Sequence, residues 1–197
     1  MKRPIKALKD ETLQIEEMLI ILEVLCHKLE DGEEVNVKDL QKVINFFKVF
    51  AEECHNKKEE EFLFPEYKKC PKQEAQHRKE VIDELKGEHQ LGKFYLIVLG
   101  KMISKIQRGD KSCLKKFTQI SRKYIDLECR HINLEFTELY PICEKTLSVK
   151  QKDTIGHQFD MFEDKTFGEG QHDNFHCAIN KMITNLKSVY LGSGSSN

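Results

Sequence analysis

Two stretches of the chain carry side chains that can hold a cation. His55 and Glu59 stand four residues apart, and so do His131 and Glu135. Each pair continues into the same ending, so that both stretches read H-x3-E-x3-L-[FY]-P, closing at Pro65 and Pro141. On a helix, residues four apart are separated by about 6 Å and about 40°, so a His and a Glu at that spacing can reach one ion. Imidazole and carboxylate donors suit iron, and also manganese or zinc. A single H-x3-E is common on charged helices, and a single inward His is more often a hydrogen-bonded core residue than a ligand. Two copies in register with identical endings argue against coincidence.

The elements that must position these groups are helices. Apolar residues recur in steps of three and four, which keeps them on one helical face. Leu8, Thr12, Ile15, Leu19, Leu22 and Cys26 form one stripe, and Leu40, Ile44, Phe47, Ala51, His55 and Phe62 a second. The third runs Ile82, Leu85, His89, Gly92, Leu96, Leu99, Ile103 and Ile106; the fourth is Phe117, Ile120, Tyr124, Leu127, His131 and Leu134. Asp31-Gly32 ends the first helix, Asn36 can cap the second, and the stretch from Pro65 to Pro71 closes it. Gly109-Asp110 closes the third, and Pro141 falls near the end of the fourth. Short connections between four helices predict an all-α, up-down-up-down four-helix bundle. We expect one domain over residues 1–191, with a core at about 5–147 and an additional C-terminal helical segment at about 149–191. Residues 192–197 read as a flexible tail.

The helices also repeat in pairs. Lys9, Glu11 and Thr12 align with Lys86, Glu88 and His89, and Leu19 and Leu22 with Leu96 and Leu99, at an offset of 77; the H-x3-E stretches align at 76. This is the mark of a duplicated helical hairpin. In antiparallel neighbours, His55, His89 and His131 can fall in one layer with Glu59 and Glu135. Buried carboxylates are costly unless paired or metal-bound, so a metal centre accounts for such a layer.

Bulk properties narrow the remaining classes. The 197 residues hold 32 Lys+Arg against 33 Asp+Glu, a net charge of -1, which gives no electrostatic reason to expect nucleic acid or an anionic membrane. No apolar run is long enough to span a bilayer, and the basic residues 1–9 are not followed by a secretory segment, so a cytoplasmic location is expected. Seven cysteines without a C-x-x-C pair predict reduced thiols rather than a disulfide framework or zinc site. Cys54 and Cys129 lie near the motifs and are expected to be buried packing residues.

Taken together, these pieces resemble the hemerythrin-like proteins of the HHE cation-binding type, over most of the chain. The resemblance rests on the segments around His55/Glu59, Glu88-His89 and His131/Glu135, and on a C-terminal stretch holding His172 and His176. It implies a centre of two non-haem iron ions, with histidines as terminal donors and the two glutamates bridging. It also exposes a departure. The family carries a His on the first helix, and here that position is Thr12, after Glu11. A coordination position is thus left for water or substrate, or for a replacement from Glu11, Glu16 or, from the fifth helix, His172. His27 lies about 22 Å along the helix from Thr12, too far to substitute. His77 and His157 carry no comparable pattern and should face solvent.

The expected ligand set is His55, Glu59, His89, His131, Glu135 and His172, and no separate catalytic residue is expected. A ferritin-like arrangement also fits, since Glu52-x-x-His55 and Glu128-x-x-His131 exist and Glu11 and Glu88 can complete it. The expected function is to bind or sense dioxygen, nitric oxide or a reactive oxygen species. The alternatives are an enzyme reducing peroxide or nitric oxide, and a helical interaction module with a degenerate site. Phe47, Phe50, Phe62 and Tyr124 are expected to wall the centre off from water. The partner is then a small diatomic ligand or peroxide, with neither nucleic acid nor membrane; the oligomeric state is left open.

Overall fold

A computed structural model describes residues 3–69 and 75–192, the His172 side chain excepted. Pro71 and the tail at 193–197 lie outside the described residues. Helix α1 spans Pro4–Glu30, with Pro4 in its first turn, where no N–H partner is needed. The second rod begins as α2, Val37–Phe46, capped by the Asn36 side chain, which accepts the Lys38 N–H at 3.0 Å. It continues through π-helical turns at Phe47–Asn56 and Glu59–Leu63 into α3, Phe64–Lys68. The third rod is α4, Ala75–Gln107. The fourth is α5, Leu114–Leu134, then a π-turn at Glu135–Leu139 and α6, Tyr140–Thr146. Two further helices follow, α7, Val149–Phe167, and α8, His172–Tyr190. Among the described residues there is no strand, and the fold is the all-α bundle expected, with its C-terminal extension. No described helix is long and apolar enough to cross a membrane.

Pro65 and Pro141 fall near the ends of their rods as expected, the second rod closing at Lys68 and the fourth at Thr146, but they are not themselves the stops. Each opens a new α-helical segment directly after a π-turn that starts at Glu59 or Glu135. The Phe64 N–H reaches back five residues to the Glu59 carbonyl, and the Tyr140 N–H to that of Glu135. The widened turn lets the chain pass a residue without an N–H donor and stay helical. The shared L-[FY]-P ending is therefore the signature of a π-turn placed at each carboxylate.

The expected stripes face inward, apart from Phe62, Ile120 and Leu134, which are half-buried. They build two apolar clusters. One holds Ile15, Leu19, Leu22, Phe47, Leu96, Leu99 and Phe117; the other holds Ile5, Leu8, Leu63, Phe64, Ile82, Leu85 and Tyr140. Thr12 and His89 fall between them, flanked by Leu8 and Ile15 and by Leu85 and Leu96. The polar layer is thus sandwiched inside the bundle.

The extension belongs to the same interior. Ser148 starts α7 with a capping box: its hydroxyl accepts the Gln151 N–H, and the Gln151 side chain accepts the Ser148 N–H at 3.1 Å. Ile155 and Phe159 of α7 join one cluster, and Ile179, Ile183 and Leu186 of α8 the other. Phe62, expected beside the centre, instead packs on Phe159 and Phe162, with ring centroids 5.9 and 5.8 Å away. The six cysteines described are free thiols; Cys54 is buried as expected, but Cys129 is exposed, because it sits between the inward Glu128 and His131 on the outer face of α5.

If α7 is part of one cooperative unit, Phe159→Ala should cost about 3–5 kcal/mol, the usual range for a buried Phe. Urea unfolding followed by circular dichroism checks this. One transition with a lowered midpoint is expected, and a separate early transition would mean that the extension unfolds alone.

Candidate metal centre

Three imidazoles and two carboxylates converge between the clusters. Among the described residues, ligand atoms of His55, Glu59 and Glu135 lie within 4.8 Å of one another, and so do those of Glu59, His89 and His131. Glu59 belongs to both groups. The Nε2 atoms face inward: His131 Nε2 is 3.0 Å and His55 Nε2 3.4 Å from Glu135 Oε1. His55 Nε2 stands 4.0 Å from Glu59 Oε1, and His89 Nε2 3.6 Å from Glu59 Oε2. Across the centre, the His89 and His131 Nε2 atoms are 3.2 Å apart. All five residues are buried, Glu59 and Glu135 completely.

Each imidazole is held from behind. His55 Nδ1 donates to Glu11 at 3.1 Å, His89 Nδ1 to Glu60 at 2.7 Å and His131 Nδ1 to Glu88 at 3.1 Å. A carboxylate only accepts, so the proton sits on Nδ1 and the Nε2 lone pair is free to face a cation. Such carboxylate–histidine pairs fix ring orientation and raise ligand basicity at metal sites. They also answer the question about Glu11 and Glu88. The ferritin-like arrangement needs both on the metal side, and the structure puts both behind the imidazoles. Glu60 was not singled out from the sequence, where it reads as one of a run of exposed acids.

The charges inside the layer are frustrated without a cation. Burial alone would lower the His55 pKa, but Glu11, Glu135 and Glu59 push it up to about 10. His89 and His131 are raised against burial in the same way by their carboxylates. Glu135 is held low against its burial by His131 and His55. Glu59 goes the other way, raised by burial and by the Glu135 charge, and its Oε2 has no hydrogen-bond partner. Protons therefore stand where cations fit. An orphaned carboxylate oxygen and facing imidazole nitrogens are the donor set of a site for positive ions.

The other candidates lie elsewhere. Glu52 and Glu128 are buried next to this layer, packed over Gly92, where a Cβ would come within 3.3 and 3.2 Å of their oxygens. Burial and the Glu128 charge push Glu52 up to about 7. Phe47 and Tyr124 pack together nearby at 5.0 Å, while Phe50 stacks on Phe46. Glu16, His27, His77 and His157 are exposed. His172 opens α8, but its side chain lies outside the described residues. His176 is not in the layer; its Nε2 is 3.7 Å from Glu163.

That Glu163 completes a buried ionic chain that sequence reasoning missed. Lys58, 1% exposed, pairs with Glu163 and, at 2.5 Å, with Glu11, which holds His55. Burial pushes Glu11 up, but Lys58 and His55 hold it at about 2. The extension thus touches the centre through Glu163, Lys58, Glu11 and His55. Lys58 reads as surface in sequence because the residues around it, Glu11 of α1 and Glu163 and Phe159 of α7, are distant in the chain.

Removing Lys58 strands two buried carboxylates. Lys58→Ala should therefore cost about 3–5 kcal/mol in chemical denaturation. Burial raises the Glu163 carboxyl, but His176 and Lys58 outweigh it and hold it below its ordinary value. Its contribution is complete above about pH 4.5 and is lost as pH falls further. In Glu163→Gln, denaturation midpoints from about pH 6 to about pH 3 should fall less steeply than in the parent; an unchanged acid limb would contradict the ionic chain.

The hemerythrin family model, described as the hemerythrin HHE cation binding domain, matches residues 3–143. No curated protein and no solved structure matches the chain. The matched span contains the whole convergent layer and stops before α7, and the chain belongs to the hemerythrin HHE cation-binding family.

Proposed function

We propose that the chain holds two iron ions, bridged by Glu59 and Glu135, with His89 and His131 as terminal donors to one and His55 to the other. The reading is supported most by the three imidazoles, each with Nδ1 committed to a carboxylate and Nε2 turned to the shared glutamates. Bound iron would supply reversible electron donation to a small ligand, and we assign that ligand to dioxygen, nitric oxide or peroxide. The chain's own part is to orient and to exclude. Glu11, Glu60 and Glu88 fix the rings, and the two apolar clusters keep bulk water from the layer. A cavity of about 250 Å³, lined by Glu52, Glu60, Lys86 and His89, among others, reaches the His89 side from solvent. It is the size for a diatomic molecule or peroxide to enter.

A second reading, turnover of peroxide or nitric oxide, is favoured by Glu52 and Glu128. Burial and the Glu128 charge raise Glu52 to about 7, and burial raises Glu128, so this pair is suited to hold a proton. A site made only for binding has no need of an acid there, while reduction of an oxygen ligand consumes protons. Peroxide loss in iron-loaded protein, with and without Glu52→Gln plus Glu128→Gln, separates the two readings.

The test of the centre itself is metal analysis after anaerobic iron loading. Two irons per chain are expected, with an optical spectrum that changes on adding air or nitric oxide. Glu59→Ala plus Glu135→Ala should abolish binding, and Glu52→Ala plus Glu128→Ala should leave the stoichiometry unchanged. Iron lost only from the second pair would overturn the ligand assignment. A wild-type chain that takes up none would favour a degenerate interaction module.

A further inference from the structure

The duplication shows that Thr12 is one of three coordinated changes. In the intact copy, His89 is held by Glu60 on the preceding rod, and Phe64 stacks on its ring at 6.0 Å, with an interplanar angle of 11°. The offsets of 77 and 76 map His89, Glu60 and Phe64 onto Thr12, Phe136 and Tyr140. The imidazole is missing, and so is the carboxylate that would have oriented it. In their place stand two hydroxyls and a second aromatic ring, with Phe136 edge-on to Tyr140 at 5.5 Å.

Those hydroxyls reach the centre. Tyr140, fully buried, places its hydroxyl 3.0 Å from Glu59 Oε1 and 3.2 Å from Thr12 Oγ1. Thr12 Oγ1 is also 3.3 Å from Glu135 Oε2, and 3.0 Å from the Leu8 carbonyl. Thr12 has one proton for three acceptors, and the backbone carbonyl is the nearest. With that proton directed at the carbonyl, four buried oxygens, two of them carboxylate, crowd around the phenol proton at the corner beside His55. That is a crowded acceptor set, of the kind a cation relieves.

We propose that the Tyr140 phenol oxygen is the terminal protein donor at this corner, in place of the first-helix imidazole. The proposal rests on the two-iron reading above. Thr12 then serves to orient the phenol and to leave it room, which an imidazole at position 12 would fill. Ligation at this corner would exchange the phenol proton for the ion, with the proton released to solvent. The two irons would differ in kind: one with two imidazoles, the other with one imidazole and one phenolate.

The readout is spectroscopic. Protein loaded with ferrous iron without air, then oxidised, is measured by visible absorption and by resonance Raman excited within the visible band, with iron counted in parallel. Wild type should bind two irons and show a phenolate-to-iron charge-transfer band with enhanced tyrosine ring modes. Tyr140→Phe should keep its helical circular dichroism, since Phe64 occupies the matching place, but lose the band and bind its second iron at least about tenfold more weakly. The triple variant Thr12→His, Phe136→Glu, Tyr140→Phe rebuilds the other copy's pattern and should bind two irons without the band. Two irons without tyrosine modes in wild type would overturn the proposal, and that holds even if the variants misfold. A band surviving in Tyr140→Phe would assign it to another tyrosine and overturn it equally. Wild type without iron would fail the two-iron reading and this proposal together.

Discussion

Burying five ionisable groups in the middle of an apolar bundle is the constraint on which the structure turns. Glu59 and Glu135 have no contact with solvent, and His55, His89 and His131 have almost none. None of these groups is tolerable there alone. The protein's answer is a second ring of charge, with Glu11, Glu60 and Glu88 each taking the outer nitrogen of one imidazole. This ring turns the inner nitrogens toward Glu59 and Glu135, with His131 Nε2 3.0 Å from Glu135 Oε1, and a cation fits between those donors. Lys58 extends the same logic one step further out, since Glu11 is buried too and needs a partner of its own.

The backbone is shaped by the same demand. A regular α-helix through Glu59 or Glu135 would meet a proline six residues later with its hydrogen-bond ladder intact and no N–H to offer. The π-turns begin at the two carboxylates and absorb this. π-turns inside α-helices are rare and occur often at functional sites. Here both copies of the duplication keep one at the residue that would bridge two ions.

How much of this was legible follows from what each feature depends on. The stripes depend on local periodicity, and nearly all their members are buried. His55, His89 and His131 lie on those stripes, and the duplication singles them out from the other histidines. Glu60 escapes because it is next to Glu59 in the chain, about 100° away around a helix, and reads as solvent-facing. Its carboxylate is in fact partly exposed and reaches across to the next rod. Lys58 escapes because its burial depends on α1 and α7, through contacts distant in the chain that no local pattern encodes. Cys129 and Phe62 were misplaced for one reason: nearness in sequence to a site does not fix the face a side chain occupies. Tyr140 was in view as one letter of a repeated ending, and its difference from Phe64 gained meaning only once the carboxylates were placed.

The asymmetries of the centre and of the fold coincide. The corner that lacks an imidazole lies between α1 and the fourth rod, and α7 and α8 pack against α1. On that side a cavity of about 360 Å³ ends at Glu11, Lys58, Glu163 and His176, not at an imidazole of the layer. On the other side the smaller cavity opens on His89 itself. A duplicated hairpin alone would give two equivalent corners with equal access. Helices packed on one flank shield the Thr12 corner from that approach and couple His55 to the extension through three buried charges. The corner that changed its side chains is therefore the one shut off from direct entry, where an internal oxygen can stand in for the imidazole absent from α1 without competing with bulk water. A small ligand arriving through the His89 cavity meets the corner built by the second rod and α4 first, and the corner of Thr12 and Tyr140 lies beyond it, inside the protein.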